Sequence, residues 1–280
     1  MSVPTWQWRG PGIVLGGGSD YNLITLYPNQ TPHLLVTGLP TSNMTRHLGW
    51  PLAAQALVGG YVVATIQHTY ISQYHLFYHH PNAVNHRAKA DTYPRLLLSA
   101  LAEAYGRRAV LTKYQVEAWQ QLPPALLAQR PPLLMLFDQF PGPLQDAPVS
   151  LQYRCWRLLD HLLAIQSVGI TTVIISPASG PFLAQLATRY QQATCARLAF
   201  GWANSADGQA VLADPGTAAM QLEAGQFIFQ IGNKQQLGQA ANPTQENVGH
   251  YLISNNIQPR TKPDWLIPAS PPAEPFKALS

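Results

Sequence analysis

Charge is the scarcest commodity in this chain. Asp, Glu, Lys and Arg make up 11% of its 280 residues, against roughly a quarter in ordinary globular proteins. Lysine is scarce, with 5 against 12 Arg, and the 13 acids leave a formal charge of +4. That balance tolerates a polyanion, but no dense basic run announces one. Cysteine is nearly absent. Cys155 and Cys195 stand too far apart to form a metal knuckle, and Cys155 lies in an apolar helical pattern that predicts a buried, reduced thiol. No apolar run reaches the roughly 18 residues of a spanning helix, and Met1 to Gly10 has neither a basic start nor an apolar signal core. The expectation is a soluble, cytoplasmic chain without a membrane segment. What is present is 46% apolar residues, enough for one sizeable core, with 25 Pro and 20 Gly to turn the chain around it.

Apolar patterning alternates between short strand-like runs and helical periods. Pro32-His-Leu-Leu-Val-Thr-Gly38 reads as a buried parallel strand ending in a tight turn. Thr45 to Leu57 carries Leu48, Leu52, Ala53 and Leu57 at helical spacing, with Pro51 marking a late start. Tyr61 to Ile66 is β-branched and apolar, so Pro32 to Ile66 has the strand, helix, strand order of a parallel crossover. After an irregular His-rich stretch, Tyr93 to Leu111 is an amphipathic helix with charges at its end. Tyr114 to Leu127 reads as a second helix, interrupted by Pro123-Pro124. Leu133 to Phe137 is the most strand-like run, ended by Asp138. A helix from Leu151 leads to the strand Thr172 to Ile175. Phe182 to Tyr190 (helix), Ala196 to Trp202 (strand), Gly208 to Leu212 (helix fragment) and Gln226 to Ile231 (last strand) complete an α/β pattern with a mostly parallel sheet.

The turn after the first of these strands is Gly38-Leu-Pro-Thr-Ser-Asn-Met-Thr45. A phosphate-cradling turn needs bare backbone N–H groups, a lysine for charge and a hydroxyl for magnesium, in the pattern G-x-x-x-x-G-K-[ST]. This turn matches at its first and last positions only. Taken in isolation, an ordinary strand-to-helix turn capped by Thr41 or Ser42 explains it better.

Further segments fall in a familiar order. Gly12-Ile-Val-Leu-Gly16, a strand to Leu26 and Pro32 to Gly38 resemble the lead-in to the P-loop of the FtsK/HerA-type DNA translocases, a family that includes the conjugative coupling proteins. Leu134-Met-Leu-Phe-Asp138-Gln139-Phe140 resembles that family's Walker B strand. Ala164 to Ser176, Arg197 to Phe200 continuing through Asp207, and Gly225-Gln-Phe-Ile-Phe resemble later landmarks. The resemblance covers about residues 11 to 235. It implies a RecA-like P-loop NTPase fold, with helices flanking a mostly parallel sheet. It divides the chain into lead-in strands (1–30), a RecA-like domain (31–235) and a Pro-rich tail (236–280), the last favouring an extended segment. It also implies ATP with Mg²⁺ as ligand, DNA as a partner and ring-forming oligomers.

The departures carry the functional expectation. By that resemblance the nucleotide-binding positions are Gly38, Thr41, Ser42, Asn43, Met44 and Thr45. Met44 stands where the lysine belongs and Asn43 where the second glycine does. A charge-assisted hydrogen bond contributes about 1.5–3 kcal/mol, so its loss predicts weak ATP/Mg²⁺ binding. Thr45 and Asp138 keep the magnesium roles. Gln139 replaces the glutamate that acts on water, and an amide is a poor base. A sensor glutamine near Pro177 and arginines near Gln166 and Gln209 are expected from the family and are absent. No catalytic residue is therefore assigned. The reading is a degenerate ATPase-family subunit, DNA-associated or with an assembly role. An active translocase completed by partner residues and a protein-binding scaffold without a DNA role stay open. Arg46, Arg154, Arg157 and Arg189 are candidate phosphate-backbone contacts. His68, His75, His79, His80 and His86 invite a zinc reading, but no acid or cysteine lies among them and a His- and Tyr-rich surface loop is the plainer one. Trp6, Trp8, Trp50, Trp119 and Trp156 are expected in core or interface.

Overall fold

The computed structural model describes residues 12–18, 22–38, 45–67, 77, 80–177, 179–201, 205–212, 222–255, 257 and 262. The strands are β1 (Ile13–Gly18), β2 (Leu23–Leu26), β3 (His33–Thr37), β4 (Val62–Gln67), β5 (Ala83–Arg87), β6 (Leu133–Asp138), β7 (Ile170–Ser176), β8 (Ala196–Ala199), β9 (Gln226–Ile231) and β10 (Lys234–Ala240). The α-helices are α1 (Trp50–Val58), α2 (Thr92–Tyr114), α3 (Pro124–Gln129), α4 (Val149–Leu163), α5 (Gly180–Gln192), α6 (Ser205–Leu212) and α7 (Gln245–Ser254). A π-helical turn, Thr45–Gly49, leads directly into α1.

All ten strands form one sheet in the order β2-β1-β10-β9-β8-β3-β7-β6-β4-β5. From β8 to β5 the pairing is parallel, and from β8 through β9, β10 and β1 to β2 it is antiparallel. Strands β3, β4, β6 and β7 are buried along their whole length, as a parallel sheet with both faces covered requires. One core packs α2, α4, α5 and α6 on one face. The other holds α1 and α7 against the opposite face. Helix α1 touches β4 and β6 near one edge of the sheet and also β1 near the other, so the sheet curls around it. Its sequence, apolar nearly all round, suits that enclosure.

The expected strand, helix, strand unit exists, but β3 and β4 are not neighbours: β7 and β6 lie between them. Residues 83–87 form an edge strand where an irregular stretch is expected. Helix α2 runs on to Tyr114 and stops where Gln115 turns left-handed (φ 54°). Beyond it, the expected helix Tyr114–Leu127 is replaced by a 3₁₀ turn, Trp119–Gln121, and by short α3, which begins at Pro124 because proline suits a first helical turn. The sheet does not end at β9. β10 pairs with it and runs past the expected domain boundary at residue 235, and residues 245–254 are helical, with the Asn247 N–H donating to the Thr244 cap (3.1 Å), rather than extended.

Candidate functional site

The parallel strands end in register. Thr37 pairs with Ser176 and Ala199, Asp138 with Ile175 and Gln67, and Gln67 with Arg87. The chain leaves β3 for α1 on one face of the sheet and leaves the adjacent β7 for α5 on the other. Helices diverging to opposite faces from neighbouring strands open a crevice at the carboxyl ends, the usual ligand position in α/β sheets. Gly38 closes β3 at this crevice. Thr45 begins the π-helical turn on its far side, and that turn packs over β6. Thr41, Ser42, Asn43 and Met44 lie outside the described residues.

Asp138 is the last residue of β6 and only 3% exposed. Strand β7 separates it from β3, so Asp138 stands across the crevice from Gly38 rather than beside it. The following residue, Gln139, takes a left-handed backbone (φ 58°), and the Phe140 N–H returns to the Ile175 carbonyl at 3.0 Å. Phe140 then packs edge-on against Tyr93 (5.1 Å between ring centroids) and Trp156 (5.8 Å). This aromatic anchor fixes the strand end that carries Asp138. Burial first, then the neighbouring Cys155 and Asp138, push the Tyr93 phenol well above its usual value, so Tyr93 stays a neutral hydroxyl.

Sequence reasoning missed a set of polar side chains around Asp138. Thr65 is fully buried on β4 and donates its hydroxyl to the Asn85 side-chain oxygen on β5, while Gln67 Nε2 donates to Thr65 Oγ1 at 3.2 Å. Thr37 and Ser176 are also fully buried. Polar groups inside a parallel sheet are costly unless paired with one another or facing a ligand. The available signal was two polar residues, Thr65 and Gln67, in an otherwise apolar strand. On the β7 side, Asp207 of α6 accepts the Gly180 N–H at 2.8 Å, so a carboxylate from within the chain already caps the start of α5.

Among the described cations, several have structural tasks. Arg189, expected as a phosphate contact, pairs with Asp160 at 2.9 Å and lies over the Trp156 ring at 4.6 Å. Arg157 sits over the ring of exposed Tyr153 at 5.9 Å, beside exposed Arg154. Among the described residues no group of three or more His, Cys, Asp or Glu could hold a metal. His68, His75 and His79 lie outside them. Trp50, Trp119 and Trp156 are core residues. No described helix is long and apolar enough to cross a membrane.

The carboxylate of Asp138 is a hard oxygen donor of the kind Mg²⁺ takes, and buried hydroxyls lie at the neighbouring strand ends, so the described residues fit a magnesium-bound phosphate ligand.

No family model matches the sequence, and no curated protein matches it. Solved structures do. The pCW3 conjugation coupling protein TcpA, in its monomer form with ATPγS, matches with a TM-score of 0.74 at 17% identity, over 90% of this chain and 72% of that one. The cytoplasmic domain of the Thermomonospora curvata type VII secretion ATPase EccC matches with a TM-score of 0.64 at 14% identity, over 88% of this chain and 32% of that one. EssC (ATPases 2 and 3) from Geobacillus thermodenitrificans matches with a TM-score of 0.63 at 11% identity, over 91% of this chain and 50% of that one. The chain thus spans about a third to a half of the length of these two secretion ATPases. The shared feature is the fold: the expected α/β architecture, a mostly parallel sheet flanked by helices, is the one observed, and it is the fold of these ATPase structures.

Proposed function

We propose that this chain is an ATPase-fold subunit of a DNA-handling or secretion-type assembly, one that binds Mg·ATP weakly at the β3/β7 crevice and hydrolyses it poorly. The observation that carries this reading is the contrast at the end of β6: Asp138 is retained and buried beside the crevice, while the next residue is Gln139. A carboxylate base contributes about 10²–10⁴-fold to such a reaction, and an amide can at most orient water. Met44 removes the charge that would neutralise the phosphates. Thr45 and Asp138 would hold magnesium, which would supply Lewis-acid stabilisation when bound. Gly38, Thr41, Ser42 and Asn43 offer backbone and hydroxyl groups to phosphate. A subunit of this kind contributes scaffold and contacts, to DNA and to other subunits, more than turnover. The names of the similar proteins, a conjugation coupling protein and a secretion ATPase, support the class of assembly.

The test is release of radiolabelled phosphate from ATP at micromolar protein, with and without duplex DNA. The expected rate lies far below about one turnover per second, the low end of ordinary enzymes. A rate near that value, abolished by Asp138→Ala, would overturn the degenerate reading. DNA retention on a filter at low salt, lost as salt rises, is expected if the chain meets phosphate directly.

A further inference from the structure

Asp138, Gln67 and Arg87 occupy one line across the sheet. They are register partners at the carboxyl ends of β6, β4 and β5, one residue per strand. Alternation puts them on the same face. Ala83 of β5 is buried in the α1 core, Asn85 meets Thr65, and Arg87 is the next residue in that phase, whereas Val84 packs in the core on the other side. This is the face over which the π-helical turn and α1 lie against β6 and β4. Exposure rises along the line, from 3% at Asp138 to 8% at Gln67 to an exposed Arg87. Neighbouring strands lie about 4.8 Å apart, so Arg87 Cα stands about 10 Å from Asp138 Cα.

We propose that Arg87 contacts the terminal phosphate of a bound nucleoside triphosphate. This deepens, and rests on, the nucleotide reading of the crevice. Asp138 would hold the Mg²⁺ that accompanies a bound triphosphate, so the phosphate nearest the β6 end is the one a cation on the β5 side would reach. Of the five residues ending the parallel strands from β3 to β5, namely Thr37, Ser176, Asp138, Gln67 and Arg87, only Arg87 is basic. A guanidinium presents paired N–H donors matched to phosphate oxygens and keeps its charge at all relevant pH values. It supplies from the sheet edge part of the positive charge that Met44 leaves out of the turn. The contact discriminates triphosphate from diphosphate, because an ADP molecule ends one group short of it.

The experiment is calorimetric or fluorescence titration of Mg·ATPγS and Mg·ADP into the full chain and three variants, with thermal melts to confirm folding. Arg87→Ala is expected to weaken Mg·ATPγS about 10- to 100-fold, the loss of one charge-assisted hydrogen bond, and Mg·ADP less than about threefold. Arg87→Lys recovers part of the loss. Arg95→Ala, which removes an exposed arginine paired with Asp91 at 3.2 Å, is the charge-matched control and leaves both affinities within about twofold. Equal effects of Arg87→Ala and Arg95→Ala, or equal losses for the two nucleotides, overturn the assignment while leaving the nucleotide site standing. If the unaltered chain binds neither nucleotide at millimolar concentration, the site reading falls and Arg87 with it.

Discussion

His33 begins β3 at the end remote from the crevice, fully buried, with Nε2 donating to the Ile165 carbonyl at 3.2 Å. Burial lowers its pKa from 6.5 to about 4, against the raising effect of its backbone partners. The folded state therefore resists protonation that the unfolded chain accepts between about pH 4 and 6.5. Stability is complete above pH 6.5, falls as the pH drops through that window, and loses about 3 kcal/mol by pH 4 from this residue alone. Urea unfolding of the native chain and of His33→Leu across this window checks the expectation: the variant should show a shallower slope with pH. Arg107 makes a similar point about legibility. In sequence it is one of the charges near the end of an amphipathic helix. In the structure it is fully buried, paired with Glu103 at 2.8 Å, donating to the carbonyls of Pro131 (2.8 Å) and Gly169 (3.1 Å), and lying over Trp119 at 4.5 Å. Its partners are backbone oxygens far away in sequence, which no periodicity encodes. Gly169 admits the arrangement, since its φ of 71° and the Trp119 ring leave no room for a side chain.

Elements with strong periodicity were legible, and those defined by long-range pairing were not. β6, β7 and α4 follow from their apolar runs, whereas the edge strand β5, with Asn, His and Arg, and β10, with three Gln and a Lys, are polar segments held by their neighbours' hydrogen bonds. Gln55 joins two elements in the same hidden way. It sits fully buried in α1, donates Nε2 to the Val14 carbonyl and accepts the Val14 N–H, both at 2.9 Å. Val14 is where β1 slips register against β2, so the glutamine satisfies backbone groups that the irregular ladder leaves unpaired. Replacing Gln55 by Leu strands two buried backbone groups and should cost about 2–5 kcal/mol in denaturant unfolding, at unchanged helix content by circular dichroism. A loss below about 1 kcal/mol would mean that β1 finds other partners.

The whole molecule is organised by one hydrogen-bonded sheet in which the parallel part carries the crevice and the antiparallel part closes around α1. Urea unfolding followed by tryptophan fluorescence and by far-ultraviolet circular dichroism should therefore give coincident single transitions. Two separated transitions would mean that β9, β10, β1 and β2 fold as an independent unit. At this scale the α/β class was readable from alternation of strand and helix signals, and Gly38 and Asp138 do stand at the same edge of the sheet. Strand order was not readable, because it depends on which crossover passes over which strand. The row from Asp138 to Arg87 was hidden for that reason, as its members come from three segments that only the sheet makes adjacent.

His47, in the π-helical turn that leads into α1, donates Nδ1–H to the Ala241 carbonyl at 3.0 Å, at the point where β10 gives way to the segment leading into α7. Displacing the segment that follows β10 would therefore break a hydrogen bond that steadies the π-helical turn at the start of α1, so α1 and the segment leading into α7 are tied to one another on the same face of the sheet.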